Sequence, residues 1–525
     1  MMDVSQMSEE EQLQAAMRLS LEVSGPASET AKLRPSQPKP RSFAGKDPQD
    51  VLPALLPATA KKKRGEPRAE AGEAQLEEAE VADLLQLLFG DSPEASDVER
   101  WLNIGFNWSQ RAGTEWGLWQ KRGGPCGVFA PVQAFIVKQL LFSSEGDVPD
   151  TRRKEQPLGS AGADDEDTRA AVLAHALACV LFHSTPSSSY IICQVRPSAE
   201  GDGPEAQAVQ AAAPAVVAAG DGASALTVVA RRTPRVAEAR QLLEEGADSW
   251  LAGSLGVVSF LFSVLISRTA STVREDMDDP STPLIGRFGH CSQELVNLML
   301  IGEATSNVFD GTRWLGDDPS TGFRLRGVDS EHVGVPQVGF LSEMEPMRYL
   351  KVGMLYKNPD FPLWVLGSPT HYTMIFSTRR EDAQLSEEAQ LEHQIKQVFV
   401  DNSIDEGGLA MSTSLSKMLE ALGIEGKHLE AQQDMVREEV ILWEDFRRWV
   451  SRQFNVTSGA DGAASNKIQL FLYDGQDPPG PSLKSVRVEL SDIDPALASG
   501  GSEGDAFVAT LHTRWPNAAV LVENR

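Results

Sequence analysis

Residues 120 to 142, QKRGGPCGVFAPVQAFIVKQLLF, restrict the fold more than any other stretch of this chain. An apolar run of this length predicts a core helix, and a core helix needs only the run. Here it is preceded by Gly123, Gly124, Pro125 and Cys126. Two residues without a Cβ let the chain turn sharply and let another backbone approach closely. Pro125 stiffens the turn just before the helix. Cys126 then falls in the first turn, where unpaired N–H groups and the helix dipole stabilise a thiolate. Val128, Phe129, Val132, Phe135, Ile136 and Leu140 form the face that anchors the helix. Pro131 removes a helical N–H early in the run, which predicts a tight or kinked first turn. A buried, inert cysteine is the commoner fate of such a residue. It has no use for the Gly-Gly-Pro approach, and the local sequence leaves the two readings level.

A nucleophilic thiol also needs a base and donors for an oxyanion. Eight histidines compete for the first role. His290 adjoins Cys291, but helical neighbours face apart, so these two are not a dyad. His175 and His183 lie on or after an apolar helix and read as structural. His332, His393, His428 and His512 fall in polar loops or on exposed faces. His371, in LGSPTHYTMIFS, opens a strand after a tight turn, where a ring projects from a rigid element toward one end of a sheet. A lone histidine on a hairpin is more often structural.

The chain has 525 residues, 41% of them hydrophobic, enough for a large core and more than one folded unit. Its formal net charge of −27 argues against nucleic acid as a partner. The four cysteines, Cys126, Cys179, Cys193 and Cys291, are scattered without a CxxC pair. Reduced thiols in the cytoplasm or nucleus are therefore expected, with neither a zinc site nor a disulfide framework. The acidic N-terminus carries no signal-peptide pattern. Residues 249 to 267 are uncharged, but five serines and two glycines make them a core helix and not a membrane span.

Residues 26–78 hold eight prolines and few aromatics and read as a disordered linker. Lys61 to Arg64 within it is a solvated charge run or a nuclear import signal. The ordered domain is expected over residues 79–525, interrupted by a low-complexity inserted loop at 196–225. The segments FPLWVLGS and HYTMIFS read as a hairpin, KIQLFLYDG and SVRVELSD as further strands, and WEDFRRWVSRQF as a helix. The class is α+β.

Three stretches in order, GGPCGVFAPVQAFIVKQLLFSSE, PLIGRFGHCSQELVNLMLIGEATSNVFDG and FPLWVLGSPTHYTMIFS, resemble the MINDY family of deubiquitinating cysteine proteases. With the C-terminal LHTRWPNAAVLV the similarity spans nearly all of residues 80 to 525, and it is nearest to the member with an EF-hand-like insertion. The resemblance implies a papain-like protease variant in which Cys126 is the nucleophile, His371 the general base and Gln120 the side-chain donor to the oxyanion. A neutral amide suits that last role, and the backbone N–H of Cys126 is a natural second donor. Nothing in the sequence identifies a residue to orient His371; Thr373, on the same strand face, is the nearest guess. The implied activity is cleavage of isopeptide bonds in polyubiquitin, typically in chains joined through lysine forty-eight of ubiquitin, with no cofactor.

The N-terminal SEEEQLQAAMRLSLEVSG reads independently. Ser8 and Glu11 form a capping box, and Gly25 ends the helix. Leu13, Ala16, Met17, Ser20 and Leu21 recur on one face. Small residues set between larger apolar ones let such a helix lie close to a flat apolar patch. The pattern is similar to a ubiquitin-interacting motif, so residues 1–25 are expected to bind ubiquitin, folding as they do so. The alternative is a helix for self-association or a frayed tail.

A degenerate EF-hand-like segment is expected at 385–430. Its loop offers Asp401, Ser403 and Asp405, but Glu406 replaces the usual glycine and Ser412 the usual glutamate. Without the bidentate carboxylate no metal is expected there. Two readings compete with an active deubiquitinase: a catalytically inactive ubiquitin-binding receptor, and a thiol amidohydrolase for other amides. The joint presence of Gln120, Cys126 and His371 disfavours the first, and the N-terminal helix the second.

Overall fold

The computed structural model describes residues 73–121, 123–142, 166–187, 189–198, 225–315, 323–383, 387–400, 402–403, 409–454, 467–476, 481–490, 506–515 and 518–523. The N-terminal helix expected at 1–25, the linker up to residue 72 and most of the inserted loop lie outside them. The described residues form two units: 73–383 with 467–523, and 387–454. Both mix helix and strand.

In the first unit the strand Glu73–Gln75, a few residues before the expected boundary at 79, pairs antiparallel with Leu226–Thr233. The latter also pairs with Tyr190–Pro197, giving a three-stranded sheet. A six-stranded sheet runs in the order Ala518–Glu523, Ser482–Leu490, Lys467–Asp474, Tyr372–Ser377, Leu363–Gly367, Gly339–Ser342. All its neighbours are antiparallel except the last pair. The expected hairpin is thus Leu363–Gly367 with Tyr372–Ser377.

The helices Cys126–Phe142, Glu166–Ser184 and Gly256–Arg268 are apolar nearly all round because each is enclosed by protein. The first continues unbroken through the buried Pro131, so the proline does not end it. In the second, burial beside Lys138 holds His175 and His183 down to a pKa of about 3, neutral and structural as expected.

Of the serine-rich run 249–267, residues 256–267 lie in the 13-residue helix Gly256–Arg268, and residues 249–255 form turns before it. No single helix among the described residues is long and apolar enough to cross a membrane. Its serines have a specific use. Ser259, Ser263 and Ser267 accept the backbone N–H groups of Val195, Cys193 and Ile191 at 2.9, 2.8 and 2.9 Å. Four helical residues advance about 6 Å and two strand residues about 6.6 Å, so serines at i, i+4 and i+8 meet alternate residues of the strand edge.

The second unit holds two helix–strand–helix segments. Glu387–Val400 leads to the strand Leu409–Met411 and the helix Leu415–Ala421; His428–Met435 leads through Val436–Arg437 and Val440–Leu442 to Trp443–Gln453. Leu409–Met411 pairs antiparallel with Val440–Leu442. Ile395, Phe399, Met418, Phe446 and Trp449 give it a core of its own. The unit therefore extends to Gln453 and beyond the expected end at 430, since Phe446 and Trp449 complete that core. Asp401, Asp405 and Glu406 lie outside the described residues.

Candidate active site

The approach to the helix Cys126–Phe142 is built as its glycines suggest, but only one of them is needed for its backbone. Gly124 has φ +127°, and a Cβ there would come within 3.2 Å of the Gly289 carbonyl and 3.3 Å of Arg100. Gly123 has neither constraint. The Pro125 carbonyl accepts N–H groups from Val128 and Phe129 at 2.8 and 3.0 Å, which makes Cys126 the first helical residue. Its own N–H is thus one of the donors that a helix start leaves without an intrahelical acceptor. The Cys126 side chain is only 3% exposed.

His371 is carried by a turn tied on both sides. Its N–H donates to Ser368 Oγ at 3.1 Å, while Ser368 N–H and Oγ–H both donate to its carbonyl, at 2.8 and 3.0 Å. The ring Nε2 lies 3.0 Å from Asp474 Oδ1. A carboxylate accepts, so Nε2 carries the hydrogen and Nδ1 is left as the free ring nitrogen. Nδ1 is buried with no nitrogen or oxygen partner among the described residues, and the Cys126 sulfur is close enough to hydrogen-bond the ring and act on its charge. Burial alone would lower the His371 pKa. The Asp474 carboxylate and the Cys126 sulfur outweigh it, and the value is pushed up to about 10. Burial likewise opposes the Asp474 charge, but the His371 ring, the Gln476 N–H at 2.9 Å and Lys484 hold its pKa below the ordinary value.

Asp474 is the residue that sequence reasoning missed. It ends the strand Lys467–Asp474, which pairs with Tyr372–Ser377 so that Tyr473 faces Met374 across the ladder. Thr373, the guess for this role, lines the same cleft but makes no hydrogen bond to His371 among the described residues. The strand itself was legible as KIQLFLYDG; its neighbour in the sheet was not.

Gln120, 3% exposed, follows the short strand Leu118–Trp119, and its N–H donates to the Gly475 carbonyl at 2.8 Å. One cleft is lined by Gln120, Cys126, Gln133, His371, Thr373 and Asp474 among others. The three residues expected to work together, from positions 120, 126 and 371, therefore share it. Leu13, Ala16, Met17, Ser20 and Leu21 lie outside the described residues.

His290 takes no part in the cleft. Burial and Arg100 lower its pKa, with Asp97 as the opposing charge. Cys291, beside it, packs into the notch at Gly127, where a Cβ would lie 2.6 Å from the Cys291 Cβ. Its thiol is 3.4 Å from the Gly124 carbonyl, and burial and the neighbouring Cys126 push its pKa well up. It stays a protonated filler beside the approach to Cys126.

A buried thiol at a helix start, an imidazole oriented by a carboxylate, and a neutral amide can together cleave an acyl bond through a thioester. Comparison with known proteins agrees. The model of the deubiquitinating enzyme MINDY-3/4 conserved domain matches residues 85–415. The chain is 31% identical over 471 residues to the ubiquitin carboxyl-terminal hydrolase MINDY-3 of Bos taurus, covering 84% of this chain and 96% of that one. It is 30% identical over 467 residues to the Homo sapiens MINDY-3, with the same coverage. The probable ubiquitin carboxyl-terminal hydrolase MINDY-4 of Mus musculus is 31% identical over 300 residues, 57% of this chain and 37% of that protein. No solved structure gives a significant match.

Proposed function

The chain belongs to the MINDY-3/4 family of deubiquitinating enzymes, cysteine-type peptidases, and from that premise we propose that it hydrolyses isopeptide bonds within polyubiquitin, with Cys126, His371 and Gln120 as its catalytic groups. The observation that carries this reading is the 3.0 Å contact of His371 Nε2 with Asp474, which leaves Nδ1 directed to the thiol side of the ring.

His371 Nδ1 already holds the proton given up by Cys126, so the ring is imidazolium, and the thiolate sulfur forms a bond to the isopeptide carbonyl carbon. The oxygen becomes an oxyanion that accepts from the Gln120 amide and the Cys126 N–H. Collapse breaks the C–N bond as the imidazolium gives its proton to the departing lysine amine. A water then loses a proton to His371 and attacks the thioester, and the returned proton releases Cys126 as the leaving group. Asp474 holds the ring in the needed tautomer and stabilises its charged form.

Chains joined through lysine forty-eight are the proposed preference, carried from the family resemblance. A panel of diubiquitins of every linkage tests this: hydrolysis of that linkage ahead of the others is expected, and an even rate across the panel would reject the preference. Ubiquitin bearing a C-terminal electrophile tests the activity itself. A covalent adduct is expected; reversible binding without one would favour the receptor reading.

The finer architecture belongs to the same proposal. A helix face packed on an antiparallel sheet, with thiol and imidazole on opposite walls of a cleft, supports a papain-like variant. The paired helix–strand–helix segments of residues 387–454 support an EF-hand-like insertion. Residues 26–72 are proposed as a disordered linker, and 1–25 as a ubiquitin-interacting helix that raises the local concentration of chain at the cleft. Deleting residues 1–25 is expected to slow hydrolysis of tetraubiquitin several-fold while leaving diubiquitin nearly unchanged. Equal slowing of both would remove the helix from this role. The expected setting is cytoplasm or nucleus.

A further inference from the structure

We infer that Gln133 is a positioning residue for Gln120, holding the amide donor in place through the main chain of Leu118. The inference rests on the catalytic reading above and deepens it.

Gln133 lies on the same helix as Cys126 and, two turns on, shares its face. It is 2% exposed, a large polar side chain at a core depth. Its Oε1 accepts the Leu118 N–H at 2.5 Å. The Leu118 carbonyl accepts the Tyr473 hydroxyl at 2.7 Å. Both polar groups of this one residue are therefore gripped, one from the nucleophile helix and one from the residue next to Asp474. Two positions later comes Gln120, whose own N–H is fixed to Gly475. The fit has no slack. A Cβ at Gly117 would lie 2.3 Å from the Tyr473 hydroxyl, and one at Gly475 would lie 2.5 Å from the Leu118 carbonyl.

The other end of the Gln133 side chain points to the same conclusion. Nε2 is buried and has no hydrogen-bond partner among the described residues. A buried donor left unmade is destabilising, and an apolar side chain of equal size would avoid it. What such a side chain could not supply is the acceptor for Leu118. The clamp links the helix bearing the thiol to the strand that leads into Gln120. Oxyanion donors contribute only when held to within a fraction of an ångström of where charge develops.

The test compares Gln133→Met, which keeps the volume and removes the acceptor, with Gln133→Glu, which keeps the acceptor. Each is measured in the full chain, alone and with Gln120→Ala, for steady-state hydrolysis of diubiquitin. Gln133→Met is expected to lower kcat by roughly 10–100-fold with KM unchanged. Gln133→Glu should recover most of that loss, and Gln133→Met should add nothing once Gln120 is alanine. An equal fall in both backgrounds, or a rise in KM in place of the fall in kcat, overturns the inference. Amide hydrogen exchange at Leu118 gives a readout independent of turnover. Protection is expected in the wild type and in Gln133→Glu and its loss in Gln133→Met; unchanged protection in Gln133→Met overturns the clamp. A wild type that neither hydrolyses diubiquitin nor reacts with the electrophilic ubiquitin defeats the deubiquitinase reading instead, while the exchange experiment still decides the clamp.

Discussion

Cys126→Ala is expected to lower hydrolysis of polyubiquitin by about 10⁴-fold or more, the scale on which loss of a nucleophile acts in enzymes of this mechanism. The variant removes one sulfur atom from a site 3% exposed and leaves the helix start intact. Binding of ubiquitin should therefore survive, and the adduct with an electrophilic ubiquitin should vanish. The two readouts together separate chemistry from recognition. An adduct that persists in Cys126→Ala would transfer the nucleophile to another cysteine. Cys179, Cys193 and Cys291 are all buried, and burial raises the pKa of each, so none is a natural substitute.

Asp474→Ala is expected to have the second-largest effect, a fall in kcat/KM of roughly 10²–10⁴-fold. The direction of its pH effect follows from what the carboxylate does to the ring. With Asp474 present, the charged imidazolium persists up to about pH 10, against the pull of burial toward the neutral form. Removing the carboxylate takes away a hydrogen bond and a negative charge that both favour the imidazolium. Burial is then opposed by the Cys126 sulfur alone, and the alkaline fall in kcat/KM should move to lower pH. Asp474→Asn keeps an acceptor for Nε2 but no charge, so it should restore part of the rate while the alkaline limb stays displaced. A pH profile in Asp474→Ala that overlays the wild type would show that the contact seen here does no work in the reaction.

The parts of this site that were legible in the sequence are those encoded locally. Gly124, Pro125 and Cys126 announce a helix start within a few residues, and the turn before His371 announces a ring at a strand end. Asp474 is different. It lies 103 residues from His371. Residues 387–454 fold as a separate unit in the interval, so two strands far apart in the chain are neighbours in the sheet. Alternation of apolar residues identifies a strand without naming its partner. Gln133 escaped for a related reason, since a glutamine inside an apolar helix reads as an interruption until the Leu118 N–H is found opposite it. The serines of Gly256–Arg268 mark a core helix in the sequence, but their spacing gives no hint of the strand they meet.

That last feature has a consequence for how the protein behaves among its own copies. An outermost strand with unused N–H groups is a template on which another chain can polymerise. Here hydroxyls fill alternate positions along Tyr190–Pro197, and the helix that brings them lies across the line of approach. The opposite margin, Glu73–Gln75, is three residues long and carries a carboxylate. The three-stranded sheet is therefore sealed along its Tyr190–Pro197 flank, which leaves little room for runaway growth there.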